Sequence, residues 1–436
     1  MERIDLLAKV KSFVNTEEKK RLLANFFSLS ILQGANYILP LVTFPYLVRV
    51  LGVENFGLLS FATATIAYFQ IITDYGFNLT ATREISIHRN NKEKLNEIFS
   101  SVMTIKVLLM MVSFILLTIL VFSFNKFAKD WPVYYLTFGM VIGQVLFPVW
   151  FFQGMERMKY ITYLNILAKT IFTIAIFFFV KEKKDYYLVP LLNSIGFIIV
   201  GFWSLIIVKR TFDIHFKLQS YKTIVYHLKE GWHVFISNIA VSLYTVSTTF
   251  ILGLFTNNRV VGYYAAGEKI IQAVQGLFNP ISQSIYPYIS KKIHQSKIEG
   301  LRFIRKVTLL FGMGMFTISL FLFIFSEPLV TVLLGLEYFH SIIVVKILSF
   351  LPFIIFLSNI FGIQTMLNFD RKKTFSRILI AGSIINLILS ILLVPIYQHI
   401  GSAISVLLVE TFITSTMLLC LQKSGINFIK GELKNV

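Results

Sequence analysis

Residues 25–83 read NFFSLSILQGANYILPLVTFPYLVRVLGVENFGLLSFATATIAYFQIITDYGFNLTATR. Two apolar runs, 24–48 and 57–72, are joined by a short turn and followed by a polar, basic segment. Each run approaches the ~20 residues that a helix needs to cross a hydrocarbon core of ~30 Å. The first run carries Pro40 and Pro45. Each proline removes a backbone donor, so a bend or hinge is expected there. The same theme, paired apolar spans with basic segments on one side, repeats to the end of the chain.

Composition agrees. Hydrophobic residues make up 56% of the 436, charged residues only 14%, and mean hydropathy is +0.72. A soluble domain carries about 25% charged residues. One soluble core cannot hide so many long apolar runs, so the chain reads as an all-α, polytopic integral membrane protein. The net charge of +19 sits in short segments between spans. That is the distribution of the positive-inside rule, and no nucleic-acid partner is implied. The one cysteine, Cys420, lies in an apolar run, which excludes disulfides and cysteine metal sites. Residues 1–22 are polar and basic, with Ile4, Leu7, Val10 and Val14 spaced for one apolar helix face. They read as an amphipathic segment on the cytoplasmic surface rather than a cleaved signal.

About 12 transmembrane helices are expected, near 24–48, 57–74, 99–122, 132–152, 160–180, 186–208, 232–255, 261–289, 306–326, 341–367, 374–394 and 399–421. Of the 41 Lys and Arg residues, thirty fall on the side of the two termini and seven on the other, with Lys106, Lys169, Lys269 and Lys346 inside spans. Both termini are therefore expected in the cytoplasm. The longest basic loop, 209–230, divides the chain into an N-lobe (23–208) and a C-lobe (231–422) of six spans each, with a cytoplasmic tail at 423–436. The halves are weakly similar at an offset of 205 residues: Gly57 falls on Gly262 and Ile98 on Phe303. An even number of spans per half makes the repeat parallel, so the two six-helix lobes are expected to be related by a pseudo-two-fold axis along the membrane normal. Two such lobes can rock about a central site, which is transporter architecture.

Ionisable groups at membrane depth cost about 2.5–3.5 kcal/mol each on insertion scales. Lys169 and Glu410 fall near the centres of the fifth and twelfth spans, Glu268 and Lys269 well inside the eighth, Lys106 deep in the third and Lys346 less deep in the tenth. Snorkelling explains some of these, and pairing with one another is the structural alternative. The excess is positive, which suits an anion such as phosphate or pyrophosphate. The seventh span adds a polar stripe, Ser237, Asn238, Ser242, Thr245, Thr248 and Thr249; Gln33 and Asn36 do the same in the first. Hydroxyls and amides suit a sugar, although helix–helix hydrogen bonds account for many such residues.

Enzyme signatures are missing. There is no P-loop pattern, no HExxH, no histidine pair at metal spacing and no nucleophile elbow. The sequence therefore implies no cofactor and no metal. A membrane polymerase or ligase would want a large outer loop with catalytic groups, and the outer loops here are short and poor in acids. A cation antiporter would want acids in the first or seventh span, and neither has one.

The stretches LQGANYILPLVTFPYLVRVLGVENFG and YFQIITDYGFNLTATREIS, with PVWFFQGMERMKY at 148–160, closely resemble the polysaccharide-biosynthesis (Wzx-type) flippases. Those belong to the multidrug/oligosaccharidyl-lipid/polysaccharide exporter superfamily. The resemblance implies a translocase in the bacterial inner membrane. Its substrate would be an undecaprenyl-pyrophosphate-linked oligosaccharide repeat unit, moved from the cytoplasmic to the periplasmic leaflet for O-antigen or related polymer. It also implies a polysaccharide polymerase and a chain-length regulator as neighbours, and an ion gradient as the energy source. In that frame Lys169, Lys269, Lys106, Lys346, Asn238 and Thr245 are candidate ligand contacts. Arg49 marks the periplasmic mouth of the first span, and Arg83 could meet an incoming pyrophosphate or pair with Asp74 or Glu84. Glu410, Glu268 and Asp74 are candidate coupling or cavity acids. Pro40 and Pro45 are candidate hinges.

Overall fold

The long apolar runs fold as helices, in line with the all-α expectation. The computed structural model describes residues 17–427 and 432–433. In chain order the helices are α1 (Glu17–Asp74), α2 (Phe77–Ile87), α3 (Lys92–Ser123), α4 (Asn125–Ala128), α5 (Trp131–Leu146), α6 (Val149–Gly154), α7 (Met158–Phe179), α8 (Leu188–Phe212), α9 (Tyr221–Thr245), α10 (Ser247–Phe255), α11 (Asn258–Gln295), α12 (Lys297–Ile324), α13 (Ser326–Leu333), α14 (Ser341–Leu348), α15 (Leu351–Asn359) and α16 (Lys372–Lys423). A π-helical turn, Ile360–Met366, follows α15, and two-residue strands β1 (Ile426–Asn427) and β2 (Glu432–Leu433) pair antiparallel near the end. The amphipathic segment expected at 1–22 lies almost wholly outside the described residues.

Local chemistry sets the starts. Asn91, Asn257 and Ser296 accept from the amides of Lys94 (3.0 Å), Val260 (3.0 Å) and Glu299 (3.4 Å), capping α3, α11 and α12. The longest helices are broken rather than straight. In α1 the break is at Gly52 (φ 72°, ψ 174°), a conformation that only glycine adopts freely, and in α16 it is at Gln398, just after Pro395. Pro40 and Pro45 themselves lie in continuous helix.

Eight helical runs among the described residues are long and apolar enough to cross a bilayer, and two of these contain the breaks just described. The spans expected at 232–255 and 261–289 fall on α9, α10 and α11, which are not among the eight. The reason is local: α9 ends at Thr245 after only a moderately apolar run, and α11 mixes its apolar residues with Glu, Lys, Gln and Asn. The membrane reading is reinforced by what the helices expose. On α3, Met111, Ile115, Ile119 and Phe122 face outward while Ser100, Ser101 and Ser113 are buried. On α12, Leu310 and Met313 face outward while Ser319 is buried. Continuous exposed apolar faces of this size belong in lipid, so the protein is a multi-pass membrane protein.

The chain divides into two compact units. One comprises the described part of Met1–Thr43 with Ile66–Lys181 and Tyr187–Asn238. Its core gathers Phe99, Trp150, Phe151 and Phe152 with Phe77, Ile85 and Ile98. Helices α5 and α8 pack closely there, with the Ser194 hydroxyl donating to the Leu136 carbonyl (2.6 Å) and that of Ser204 to the Leu146 carbonyl (3.2 Å).

The other unit comprises Phe44–Thr65, Glu182–Tyr186 and the described part of Ile239–Val436. One core cluster joins Phe278, Phe356, Ile304, Ile413 and Met417. Residues 44–65 pack against α11 at a crossing that allows no side chain. A Cβ on Gly57 would run into the Asn258 carbonyl oxygen and stand 2.6 Å from the Gly262 amide; a Cβ on Gly262 would run into the Val53 carbonyl oxygen. The contact is reciprocal at the offset of the sequence repeat, since Val53 corresponds to Asn258 as Gly57 does to Gly262. Nearby, the Tyr338 hydroxyl donates to the Val48 carbonyl (3.1 Å), Asn55 Nδ2 donates to the Lys183 carbonyl (2.8 Å), and Lys183 Nζ is 2.8 Å from Glu337 Oε1.

Candidate functional site

Lys106, Lys169, Glu268 and Lys269, four of the charged residues expected at membrane depth, have partners that differ in kind. In the first unit, Lys106 from α3 is fully enclosed and its Nζ lies 3.8 Å from Asp74 Oδ1 at the end of α1. Asp74 also accepts from Asn78 Nδ2 at 2.8 Å. An isolated ion here would carry a large desolvation cost, and the pair neutralises both members.

Lys169, on α7, has a different neighbour. Its Nζ donates to Asn36 Oδ1 on α1 at 2.6 Å, and both residues are half-buried. An amide solvates an ammonium without cancelling its charge. The hydrogen-bond partner of Lys169 is thus a neutral amide, where the partner of Lys106 is a carboxylate.

In the second unit, α11 brings several expected residues onto successive turns. The hydroxyl of fully buried Tyr264 donates to Glu268 Oε1 (3.3 Å), and Lys269 Nζ donates to Gln272 Oε1 (3.1 Å). Lys269 is exposed and Glu268 half-buried, so the adjacent side chains turn different ways. Lys346 on α14 is exposed, and Glu410 on α16 is buried.

Composition did not single out a third polar group. Ser282 Oγ donates to Asn359 Oδ1 (2.7 Å), and Gln364 Nε2 reaches both the Ser282 carbonyl (3.1 Å) and its hydroxyl (3.0 Å). Gln364 stands in the π-helical turn, where Thr365 Oγ1 bonds back to the Ile360 carbonyl at 2.8 Å. A π-turn of this kind often marks a functional position in a helix. A lone glutamine in IFGIQTM gives no sequence signal of that geometry.

The remaining expectations are placed as follows. Arg49 is exposed and its Nη2 donates to the Val332 carbonyl. Arg83 is exposed beside a cavity of about 40 Å³ lined also by Glu84, His227 and Glu230. That room suits a water rather than a pyrophosphate. Burial holds the His227 imidazole below its ordinary pKa, against the nearby charges of Glu84, Glu97 and Glu230. Asn238 is half-buried on α9. Thr245 ends α9, and its side chain lies outside those described.

Two of the stretches quoted above, at 68–86 and 148–160, meet each other. On α2, Thr82 Oγ1 is 2.8 Å from the Asn78 carbonyl of its own helix and also lies 3.2 Å from the Trp150 carbonyl and 3.4 Å from Gln153 Oε1. Arg89, just beyond it, donates through Nε (3.2 Å) and Nη2 (3.0 Å) to the Gly154 carbonyl and pairs with Glu156 at 2.9 Å. These residues lock α2 to α6, and their bonds are spent within the protein.

Residues 22–293 match the family described as polysaccharide biosynthesis protein. Over 401 residues the chain is 37% identical to a protein of Escherichia coli (strain K12) named "Putative O-antigen transporter", an alignment covering 92% of this chain and 97% of that one. Among solved structures, "Lipid II flippase MurJ, inward closed conformation" is similar with a TM-score of 0.69 at 16% identity, over 94% of this chain and 89% of that one. An inward-facing multidrug resistance MATE family transporter of the MOP superfamily gives 0.64 at 11% identity, over 90% and 96%. The structural likenesses establish the fold, and the sequence matches go further: the chain belongs to the polysaccharide biosynthesis protein family, among transporters and not enzymes.

Proposed function

We propose that the protein is a flippase that carries an undecaprenyl-pyrophosphate-linked oligosaccharide repeat unit, of O-antigen or a related polymer, from the cytoplasmic to the periplasmic leaflet of a bacterial inner membrane. The observation that carries this reading is the Lys169 ammonium. Its hydrogen-bond partner is the neutral Asn36 side chain at 2.6 Å, and an ammonium in such a setting can pair with the phosphate oxygens of an anionic ligand. Membership of a family whose relatives include a protein named as an O-antigen transporter supplies the sugar–lipid half of the reading.

The reading includes twelve spans in two six-helix lobes, 23–208 and 231–422, joined by a cytoplasmic linker, with both termini in the cytoplasm. The breaks in α1 and α16 and the tandem α9–α10 and α11 support that count. The reciprocal crossing of Gly57 and Gly262 supports a pseudo-two-fold axis, since two-fold contacts pair each residue with its partner's equivalent. The hinge lies at Pro40 and Pro45. Helix α1 passes from one compact unit to the other between Thr43 and Phe44, between those prolines. Neither proline donates a helix hydrogen bond, so the backbone is softest there. Lys269 and Lys346, both exposed, are further ligand contacts. Glu410 and Glu268 couple transport to an ion gradient, and a polymerase with its chain-length regulator takes the product.

The test is a deletion strain. Lipid-linked repeat units should accumulate on the cytoplasmic leaflet and return to normal with the gene restored. Arrival at the periplasmic face at the normal rate without the protein would rule the reading out.

A further inference from the structure

A cavity of about 670 Å³ lies within the first unit, with none of Asp74, Lys106, Asn36 and Lys169 among its lining residues. Its walls are Met103 and Val107 of α3 and Leu205 of α8, and its roof includes Phe216, from the strap 213–220 that follows α8. The polar residues lining it are Thr104, Lys209 and His215. The Thr104 hydroxyl is already committed to the Ser100 carbonyl at 2.8 Å. The side chains that can meet a ligand's charge are those of Lys209 and of His215, the latter also beside Asp213, and both are exposed.

The strap is fixed, not loose. The amide of His215 donates to Asn96 Oδ1 (2.7 Å) and that of Lys217 to Ser100 Oγ (2.9 Å). Asp213 is tied to Lys92 and lies 3.6 Å from His215 Nε2. The hydrogen bond from Lys92 holds its carboxyl below the usual carboxylate range. No carboxylate lines the cavity. The strap also turns apolar side chains outward: Phe216 is 55% exposed and Leu218 88%. Basic residues alternating with exposed Phe and Leu suit the head-group layer of a membrane better than water.

We propose that this cavity holds one acyl chain of an anionic phospholipid, with the lipid phosphate on Lys209 and His215. An apolar slot with a basic rim, opening where a strap lies at head-group depth, matches a lipid on both chemistries. Its size falls within the ~300–1,000 Å³ of ordinary ligand cavities. It accommodates one fatty chain and not a polyprenyl chain several times longer. The site is thus a resident-lipid site and does not depend on the translocation reading.

The experiment is native mass spectrometry of the full-length purified protein. It is titrated with phosphatidylglycerol, with phosphatidylcholine of the same chains, and with undecaprenyl phosphate. One phosphatidylglycerol should bind about tenfold more tightly than phosphatidylcholine, as one or two surface cations allow. Lys209→Glu with His215→Gln should erase that preference, and Val107→Trp should weaken both phospholipids. The rim variant alters exposed side chains only, so it decides the matter even if Val107→Trp fails to fold. Equal binding of the two phospholipids, an unchanged preference in the rim variant, or displacement of phosphatidylglycerol by undecaprenyl phosphate would each overturn the proposal.

Discussion

Lys106 Nζ lies 3.8 Å from Asp74 Oδ1, and the lysine is wholly enclosed. Thirty-two residues apart, the two form a closed ion pair inside a protein whose exterior is apolar. Removing one member leaves a buried charge with no counter-ion. Lys106→Ala should therefore cost about 3–5 kcal/mol of stability. The double variant Lys106→Met, Asp74→Leu should recover most of that. Thermal unfolding of the purified proteins checks both, and a single variant as stable as wild type would show that the pair contributes little.

The Asn36–Lys169 contact should behave differently. The lysine is half-buried and its partner neutral, so Lys169→Ala removes a charge without stranding another. Surface polysaccharide is expected to fall at least about tenfold, the effect of losing one charge-assisted contact of ~1.5–3 kcal/mol. Protein in the membrane fraction should be unchanged. Normal polymer would remove Lys169 as a ligand contact.

At the crossing of residues 44–65 with α11, backbone meets backbone. Gly57→Leu or Gly262→Leu drives carbon into a carbonyl oxygen. Overpacking of this kind costs about 1–3 kcal/mol. Both variants are expected to lose thermal stability to a similar extent, because the contact is reciprocal. A loss at one glycine alone would argue against equivalence of the two positions.

Arg89 makes the converse point. It binds the Gly154 carbonyl and Glu156, and nothing about it faces a ligand. Arg89→Ala should lower stability by about 1.5–3 kcal/mol, the range for hydrogen bonds to a charged group. Transport per folded molecule should stay as in wild type. A fall in transport at full folded abundance would give the α2–α6 junction a direct role.

The membrane class and the family were legible because each depends on composition or local pattern. Gly57 and Gly262 were also paired in advance by the repeat, although their contact was not. Partnerships were not legible. Lys106 with Asp74 and Lys169 with Asn36 join distant spans, and one sequence says nothing about which helix faces meet. A basic count alone gave both lysines the same role, while the structure sets one beside a carboxylate and the other beside an amide. The π-helical turn at Ile360–Met366 was invisible for a similar reason: it is set by packing around Gln364, not by propensity. The seventh and eighth spans were read from scattered apolar residues, and their polar content keeps them from standing out by hydropathy.

The central claim is that this chain moves a lipid-linked sugar across a bilayer. The most direct measurement reconstitutes the purified protein in liposomes with a fluorescent undecaprenyl-pyrophosphate-linked oligosaccharide and follows quenching of the label in the outer leaflet. Transbilayer exchange should be fast with the wild-type protein and near the protein-free rate with Lys169→Ala. Exchange that is no faster with the wild-type protein than in empty liposomes, with and without an imposed ion gradient, would contradict the account.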